Sequence, residues 1–225
     1  MEETFEGIVT SVMEEAAALL AIDSPTGYTA GAADHVMAAY RALGLAPEQT
    51  RKGGVLVCLN PEAPEDDSLL LEAHVDTLGG MVTEISAAGR LNLTNLGGMN
   101  PNNAEAENVR IVTRSGKIYT GTFQMKNASI HVNGDYSSTK RSYDAMEVVI
   151  DQEVHSRRDV EKLGIAPGDI VCFEPRTVIT PSGFIKSRFL DDKLSVAILL
   201  GLAGQVARGE VKPKRRVWQH ITVFE

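Results

Sequence analysis

Thiols and positive charge are both scarce in this sequence. Its two cysteines, Cys58 and Cys172, each stand inside an apolar stretch, which predicts buried thiols rather than a disulfide or a metal pair. Lysine and arginine number 22 against 30 acidic residues, giving a formal charge of -8. Because nucleic-acid surfaces need clustered positive charge, this balance argues against a nucleic-acid partner. We interpret the one basic run, residues 212–216, as a solvated turn.

Long apolar runs and an export signal are also missing. The longest apolar stretch, residues 196–207, is shorter than the roughly 20 residues that a membrane-spanning helix needs. The chain opens with Glu2 and Glu3 and has no basic segment ahead of an apolar one, which is not the pattern of a signal peptide. We therefore expect a cytoplasmic protein with no membrane partner. The 43% hydrophobic and 23% charged residues are typical of a globular protein.

The N-terminal part of the chain has an α/β pattern. Residues 3–21 place their apolar side chains on one helical stripe, and a second amphipathic helix follows and ends at Gly44. Two near-continuous apolar strands come next, GVLVCL (54–59) and SLLLEAHVD (68–76). Helices followed by such strands favour an α/β sheet that helices cover on both faces.

The pattern changes after residue 77. Short alternating segments with turn residues between them, among them MVTEIS, LNLTNL, NVRIVT and MEVVID, predict a small antiparallel barrel or sandwich. One short helix interrupts them, with Ser156 as its N-cap and Gly164 as its end. The α/β pattern then resumes with an apolar helix and a last strand. We therefore predict an α/β domain in two parts, 1–77 and 184–225, with a β-barrel-like domain inserted at 78–183.

The strand SLLLEAHVD ends on two chemically active side chains. In an extended chain His74 and Asp76 share a face, whereas Val75 points the other way. An imidazole beside a carboxylate is either a buried polar pair or the start of a metal site in which the carboxylate fixes the imidazole tautomer. An H-x-D triplet alone does not decide between these interpretations.

Two further acidic positions follow later in the chain. Asp191 and Asp192 stand where the apolar helix begins, so a helix cap explains one of them. A second carboxylate could project into the crevice at the sheet edge and bridge two cations about 3.5–4 Å apart. Glu225 ends a strand-like segment and is either an exposed terminal residue without a role or part of the same site.

Five pieces of sequence together resemble one known family. They are SPTGYT (24–29), AHVD (73–76), VEKLGIAPGD (160–169), SRFLDDK (187–193) and ITVFE (221–225). Their order and spacing resemble the tetrahedral, or glutamyl, aminopeptidase family of dinuclear metallopeptidases, which also contains deblocking aminopeptidases and Frv-operon-like proteins. The resemblance implies a metallopeptidase-type α/β sheet covered by helices, with an inserted small β-barrel-like domain.

The resemblance also implies a role for each candidate residue. His74 is implied as a metal ligand, and Asp191 as a carboxylate that bridges two divalent ions, with zinc expected and cobalt or manganese as alternatives. Asp76 is implied as a catalytic support for His74, and Glu225 as the general base. The Asp191–Asp192 peptide bond is implied to be cis.

The sequence departs from the family pattern in three places. Thr77-Leu78-Gly79 stands where relatives usually carry Glu-Ile-Gly, and Lys193 stands where arginine is common. The chain also stops at Glu225, before three of the five metal-binding positions that the resemblance implies. We therefore expect a family member truncated at its C-terminus. This 225-residue chain is expected to bind metal weakly and to be inactive.

Three functions remain open at this point. The resemblance favours a full-length metal-dependent aminopeptidase that hydrolyses N-terminal residues from peptides and assembles as a homo-oligomer. A metal-dependent amidohydrolase or deacylase would use the same residues on a different amide. A non-catalytic module that serves assembly through its β-rich insert is the alternative outside enzymes.

Overall fold

The computed structural model describes residues 4–225, so Glu2 and Glu3 and the start of the first predicted helix lie outside it. In chain order the helices and strands are α1 (Phe5–Leu20), α2 (Ala30–Ala42), β1 (Glu48–Gln49), β2 (Val55–Cys58), β3 (Ser68–His74), β4 (Gly79–Ile85), β5 (Leu91–Leu96), β6 (Glu107–Val112), β7 (Ile118–Met125), β8 (Met146–Ile150), α3 (Arg157–Leu163), β9 (Ile170–Phe173), β10 (Val178–Ile179), β11 (Ile185–Lys186), α4 (Leu190–Ala207) and β12 (Arg216–Thr222). Two short 3-10 helices, Pro101–Asn103 and Tyr143–Ala145, were not predicted from the sequence.

The chain forms two compact units. One contains the chain up to Thr77 together with Pro175–Glu225, and the other is Leu78–Glu174. The first joint coincides with the sequence-based division at 77/78, whereas the second lies before residue 175 instead of residue 184. The difference is the β10–β11 hairpin, whose alternating sequence is typical of the inserted segment but which groups with the first unit.

The first unit is built on a four-stranded sheet in the order β1-β2-β12-β3. The last strand, β12, lies inside the sheet, antiparallel to β2 and parallel to β3. The parallel register pairs Ile221 with Ala73 and Thr222 with His74. This pairing brings the ends of β3 and β12, and the residues that follow them, to the same edge of the sheet.

One face of this sheet carries the core. Val55, Val57, Val217 and Ile221 alternate with less buried neighbours and pack against α1, α2 and α4 in a single apolar cluster. On the opposite face Leu70 is 54% exposed. Among residues 4–225, the helices that pack on this sheet, α1, α2 and α4, therefore cover its core face, and the expected cover of the second face stays a prediction for the whole protein.

The helices begin and end as their sequences indicate. Thr4 caps α1, its hydroxyl accepting a hydrogen bond from the Gly7 amide at 3.2 Å. Ser156 caps α3 in the same way, and Gly164 ends it in a left-handed conformation with φ of 88°. Both ends of α3 agree with the sequence analysis. Within residues 4–225, no helix is both long and apolar enough to cross a membrane.

The second unit is a closed barrel in the order β4-β5-β8-β7-β6-β9. All neighbouring strands pair antiparallel, and inward positions alternate with outward ones along β6 and β8. Phe123 and Phe173 meet edge to face inside it, with ring centroids 5.4 Å apart. The α/β fold class and the inserted barrel expected from the sequence are thus confirmed.

Candidate active site

His74, the last residue of β3, has its two ring nitrogens in different surroundings. Nδ1 lies 3.0 Å from the main-chain carbonyl oxygen of Asp76, an acceptor that favours the tautomer with the ring proton on Nδ1. Nε2 is then left with a free lone pair. The side chain is 15% exposed, so this nitrogen is held at the surface and can still be reached from solvent.

Asp76 is buried behind the imidazole. Its carboxylate oxygen Oδ2 accepts a hydrogen bond from the Thr26 hydroxyl at 2.7 Å. The other oxygen, Oδ1, lies 3.3 Å from Nδ1 of His74 but makes no hydrogen bond. The sequence analysis expected the Asp76 carboxylate to fix the tautomer of His74. In the structure the shorter contact comes from the main-chain carbonyl of the same residue.

Asp191 approaches the other side of the imidazole. Its Oδ1 atom lies 3.3 Å from Nε2 of His74, and its side chain is 91% exposed. The Asp191–Asp192 peptide bond is cis, as the resemblance implies. Asp192 accepts a hydrogen bond from the main-chain amide of His74 at 3.3 Å, and so ties this turn to the end of β3.

The aspartate pair lies in a non-helical turn at the start of α4. Asp191 and Asp192 have non-helical backbone angles, so the regular part of α4 begins at Lys193 and Asp192 directly precedes it. The position of Asp192 agrees with a cap for one of the two aspartates, and its carboxylate accepts from the His74 amide. The Asp191 carboxylate faces Nε2 of His74.

Glu225 completes the group at this edge of the sheet. Its Oε2 atom lies 3.7 Å from Nε2 of His74, and its side chain is 78% exposed. A cleft of about 380 Å³ opens here, lined by Glu72, Ala73, His74, Asp192, Thr222, Phe224 and Glu225. The structure therefore brings three of the residues singled out in the sequence, Asp76, Asp191 and Glu225, together around the imidazole of the fourth, His74.

The donor atoms fit part of a metal site. Two ligands of a tetrahedral zinc, each about 2.0–2.1 Å from the ion, lie about 3.3–3.4 Å apart, and Nε2 of His74 and Oδ1 of Asp191 have this separation. However, within residues 4–225 no group of three or more histidine, cysteine, aspartate or glutamate side chains is arranged to hold a metal ion. His74 and Asp191 are thus suited to be two ligands of a site that needs further donors.

Two supporting residues were not found by sequence reasoning. Thr26 lies in the SPTGYT loop, and Lys193 directly follows the aspartate pair. Lys193 is buried, and its ammonium group donates hydrogen bonds to the carbonyl oxygens of Leu19 at 2.9 Å and Ile22 at 2.6 Å. Only the position of these residues beside recognised motifs could have indicated them, because their partners are distant in sequence.

Comparison with known proteins links this arrangement to peptidases. The family model described as M42 glutamyl aminopeptidase matches residues 53–225. The Bacillus subtilis protein YhfE, whose name describes it provisionally as an aminopeptidase, is 43% identical over 91% of the chain. The glutamyl aminopeptidase of Lactococcus lactis is 25% identical over 89% of the chain. The chain spans 59% and 56% of the lengths of these two proteins.

A solved structure shows the same fold. The TET1 peptidase of Pyrococcus horikoshii, described as able to assemble into a tetrahedron or a large octahedral shell, superposes with a TM-score of 0.78 at 22% identity. The match covers 94% of this chain and 61% of that one. At this identity the likeness supports the architecture, and the candidate residues must be judged on their own geometry.

Proposed function

Because the chain belongs to the M42 glutamyl aminopeptidase family, we propose that the protein is a metal-dependent aminopeptidase that releases N-terminal residues from peptides. The observation that carries the proposal is the approach of Asp191 and Glu225 to Nε2 of His74, at 3.3 and 3.7 Å. A polar group of this composition at the end of two parallel strands lies where ligands bind in α/β sheets.

Each residue has a distinct part in the proposed reaction. His74 and Asp191 are proposed to hold divalent cations, with zinc first and cobalt or manganese as alternatives. Such ions, when bound as a pair, polarise a peptide carbonyl and activate water. Glu225 takes the proton from the attacking water and passes it to the leaving amine, as a general base and then a general acid. Asp76 keeps the imidazole of His74 in orientation.

Assembly and location form a second part of the proposal. The protein is proposed to form homo-oligomers, by analogy with the TET1 relative that builds closed shells. Its proposed partner is a peptide substrate. The cytoplasmic location, the β-rich insert as an assembly module and the weak metal binding of this chain alone stay predictions of the sequence analysis.

The test is an assay of two proteins with two classes of substrate. The 225-residue chain and the longest product of its reading frame are each incubated with aminoacyl anilides and with N-acyl amino acids, with and without zinc, cobalt or manganese. We expect the longer product to hydrolyse the anilides only with metal, and His74→Ala to reduce that rate by more than about 100-fold, the upper end of what loss of a supporting residue costs. The 225-residue chain should be inactive.

Other results would redirect the assignment. Hydrolysis of the N-acyl amino acids alone indicates a deacylase, and inactivity of both proteins on both substrate classes indicates a non-catalytic module. Turnover by the 225-residue chain, with tightly held stoichiometric metal, would contradict the expectation that it lacks essential ligands. Phe224→Ala is a suitable control, because Phe224 lines the same cleft without an ionisable group.

A further inference from the structure

The carboxylate of Asp76 is held asymmetrically. Oδ2 accepts the hydrogen bond of the Thr26 hydroxyl at 2.7 Å, whereas Oδ1 is buried without a hydrogen-bond partner and lies 3.3 Å from Nδ1 of His74. A buried carboxylate oxygen without a partner is costly, so its orientation needs a cause. The Thr26 hydroxyl supplies that cause, because it binds one oxygen and thereby directs the other to the imidazole.

We propose that Thr26 is a positioning residue of the candidate active site. Its hydroxyl fixes the rotation of the Asp76 carboxylate. The charged Oδ1 atom is thereby kept 3.3 Å from Nδ1 of His74, next to the main-chain carbonyl that binds this nitrogen. The inference rests on the proposed function for its importance to catalysis. The geometric part, a three-residue chain from Thr26 through Asp76 to His74, is independent of whether the protein cleaves peptides.

The loop that carries Thr26 is firmly attached to the end of β3. The Thr26 amide donates to the Thr77 carbonyl at 3.1 Å, and the Thr77 amide donates to the Ser24 carbonyl at 2.8 Å. The Ser24 hydroxyl donates to the Val75 carbonyl at 2.7 Å. These bonds form a short parallel ladder, with Pro25 bridged to Thr77. The backbone of Thr26 is therefore held in a fixed position relative to Asp76.

The two ring nitrogens of His74 therefore have different roles, one as a hydrogen-bond donor and the other as a possible metal ligand. Nδ1 faces two buried acceptors, the Asp76 carbonyl at 3.0 Å and the Asp76 carboxylate at 3.3 Å, whereas the carboxylates near Nε2 are exposed and screened by solvent. The proton is therefore favoured on Nδ1. Nε2 faces Asp191 and Glu225 with its lone pair. If the Thr26 hydroxyl is lost, the Asp76 carboxylate can rotate away from Nδ1. The preference for the Nδ1–H tautomer should then weaken.

The experiment measures the tautomer of His74 in the metal-free 225-residue chain. Nitrogen-15 NMR of the imidazole is recorded near pH 8, where an ordinary histidine is neutral, and the His74 signals are assigned by their absence in His74→Ala. We expect the wild type to be mainly Nδ1–H. Thr26→Val, which has the same shape without the hydroxyl, should lower the Nδ1–H to Nε2–H ratio by about two- to tenfold, because the charged Oδ1 atom is no longer held 3.3 Å from Nδ1.

Two control variants separate positioning from a general structural effect. Thr26→Ser keeps a hydroxyl and should restore the wild-type ratio. Ser24→Ala removes the neighbouring bond to Val75 without touching Asp76, and should leave the ratio unchanged even if it lowers stability. Thr26→Ala removes the hydroxyl a second way if valine disturbs the fold, which fluorescence of Trp218 reports. An unchanged ratio in folded Thr26→Val or Thr26→Ala overturns the proposal, whatever the peptidase assays show.

Discussion

Replacing Lys193 with methionine should destabilise the sheet-containing unit by about 2 kcal/mol. The lysine side chain is 1% exposed, and its ammonium group donates to the carbonyl oxygens of Leu19 and Ile22 at the end of α1. Each hydrogen bond from a charged donor contributes about 1.5–3 kcal/mol. Methionine fills a similar volume and removes the cost of burying a charge, which offsets part of that loss. The two bonds together would contribute about 3–6 kcal/mol, and the offset brings the expected net loss below that range, to about 2 kcal/mol.

The single tryptophan allows this loss of stability to be measured in the unit that contains Lys193. Trp218 lies on β12, so urea unfolding followed by its fluorescence reports the unit that contains Lys193. Lys212→Met, on an exposed lysine of the same unit, is the matched control and should change the free energy of unfolding by less than about 0.5 kcal/mol. A loss in Lys193→Met no larger than that of the control would refute the assignment of Lys193 as an anchor between α1 and α4.

Two further predictions concern how the stability of each unit depends on pH. The buried Tyr40 hydroxyl donates to Gln219 at 2.8 Å, and burial raises the pKa of Tyr40 above its usual value. Stability linked to this group is therefore present below about pH 10 and is lost at higher pH. Tyr40→Phe should lower the free energy of unfolding, measured with urea, by about 1 kcal/mol at pH 8 and by less at pH 11. In the barrel-containing unit, hydrogen bonds lower the pKa of Asp159 on α3 to about 2. The largest effect comes from the Ser156 hydroxyl, followed by Lys162 and the His155 amide. The stability that this group contributes is present above about pH 4 and is lost toward pH 2. In Asp159→Asn, stability should therefore fall less between pH 4 and pH 2 when acid unfolding is followed by circular dichroism. The same fall as in the wild type would contradict this.

The barrel could be predicted largely from its sequence, because alternation of apolar residues reports local strand structure directly. LNLTNL (91–96) forms β5 over the same six residues, and Ser156 and Gly164 mark the ends of α3. The same alternation does not say which strands pair, since register and partner are set by distant residues. For this reason the hairpin at residues 178–186 could not be separated from the barrel before the structure was known.

The residues of the candidate site could be predicted from the sequence, but their hydrogen bonds could not. The spacing of His74 and Asp76 indicated that they share a face, and the resemblance supplied Asp191 and Glu225. Sequence reasoning could not supply the bond from Thr26 to Asp76, because a threonine in a turn has the same local signature whether or not its hydroxyl has a distant partner. It also could not indicate that the Asp76 main-chain carbonyl lies closest to the imidazole.

The central position of β12 has a consequence for how the chain folds. β2 and β3 are neighbours of β12 and not of each other. Until residues 216–222 have been synthesised, β3 therefore has no partner in this sheet and β2 has only the two-residue strand β1. The barrel strands, in contrast, all lie within Leu78–Glu174 and can pair while the later part is still in the ribosome. During translation the unpaired backbone edges of β2 and β3 therefore stay open after the barrel strands have paired, and open strand edges are sites where a nascent chain can aggregate.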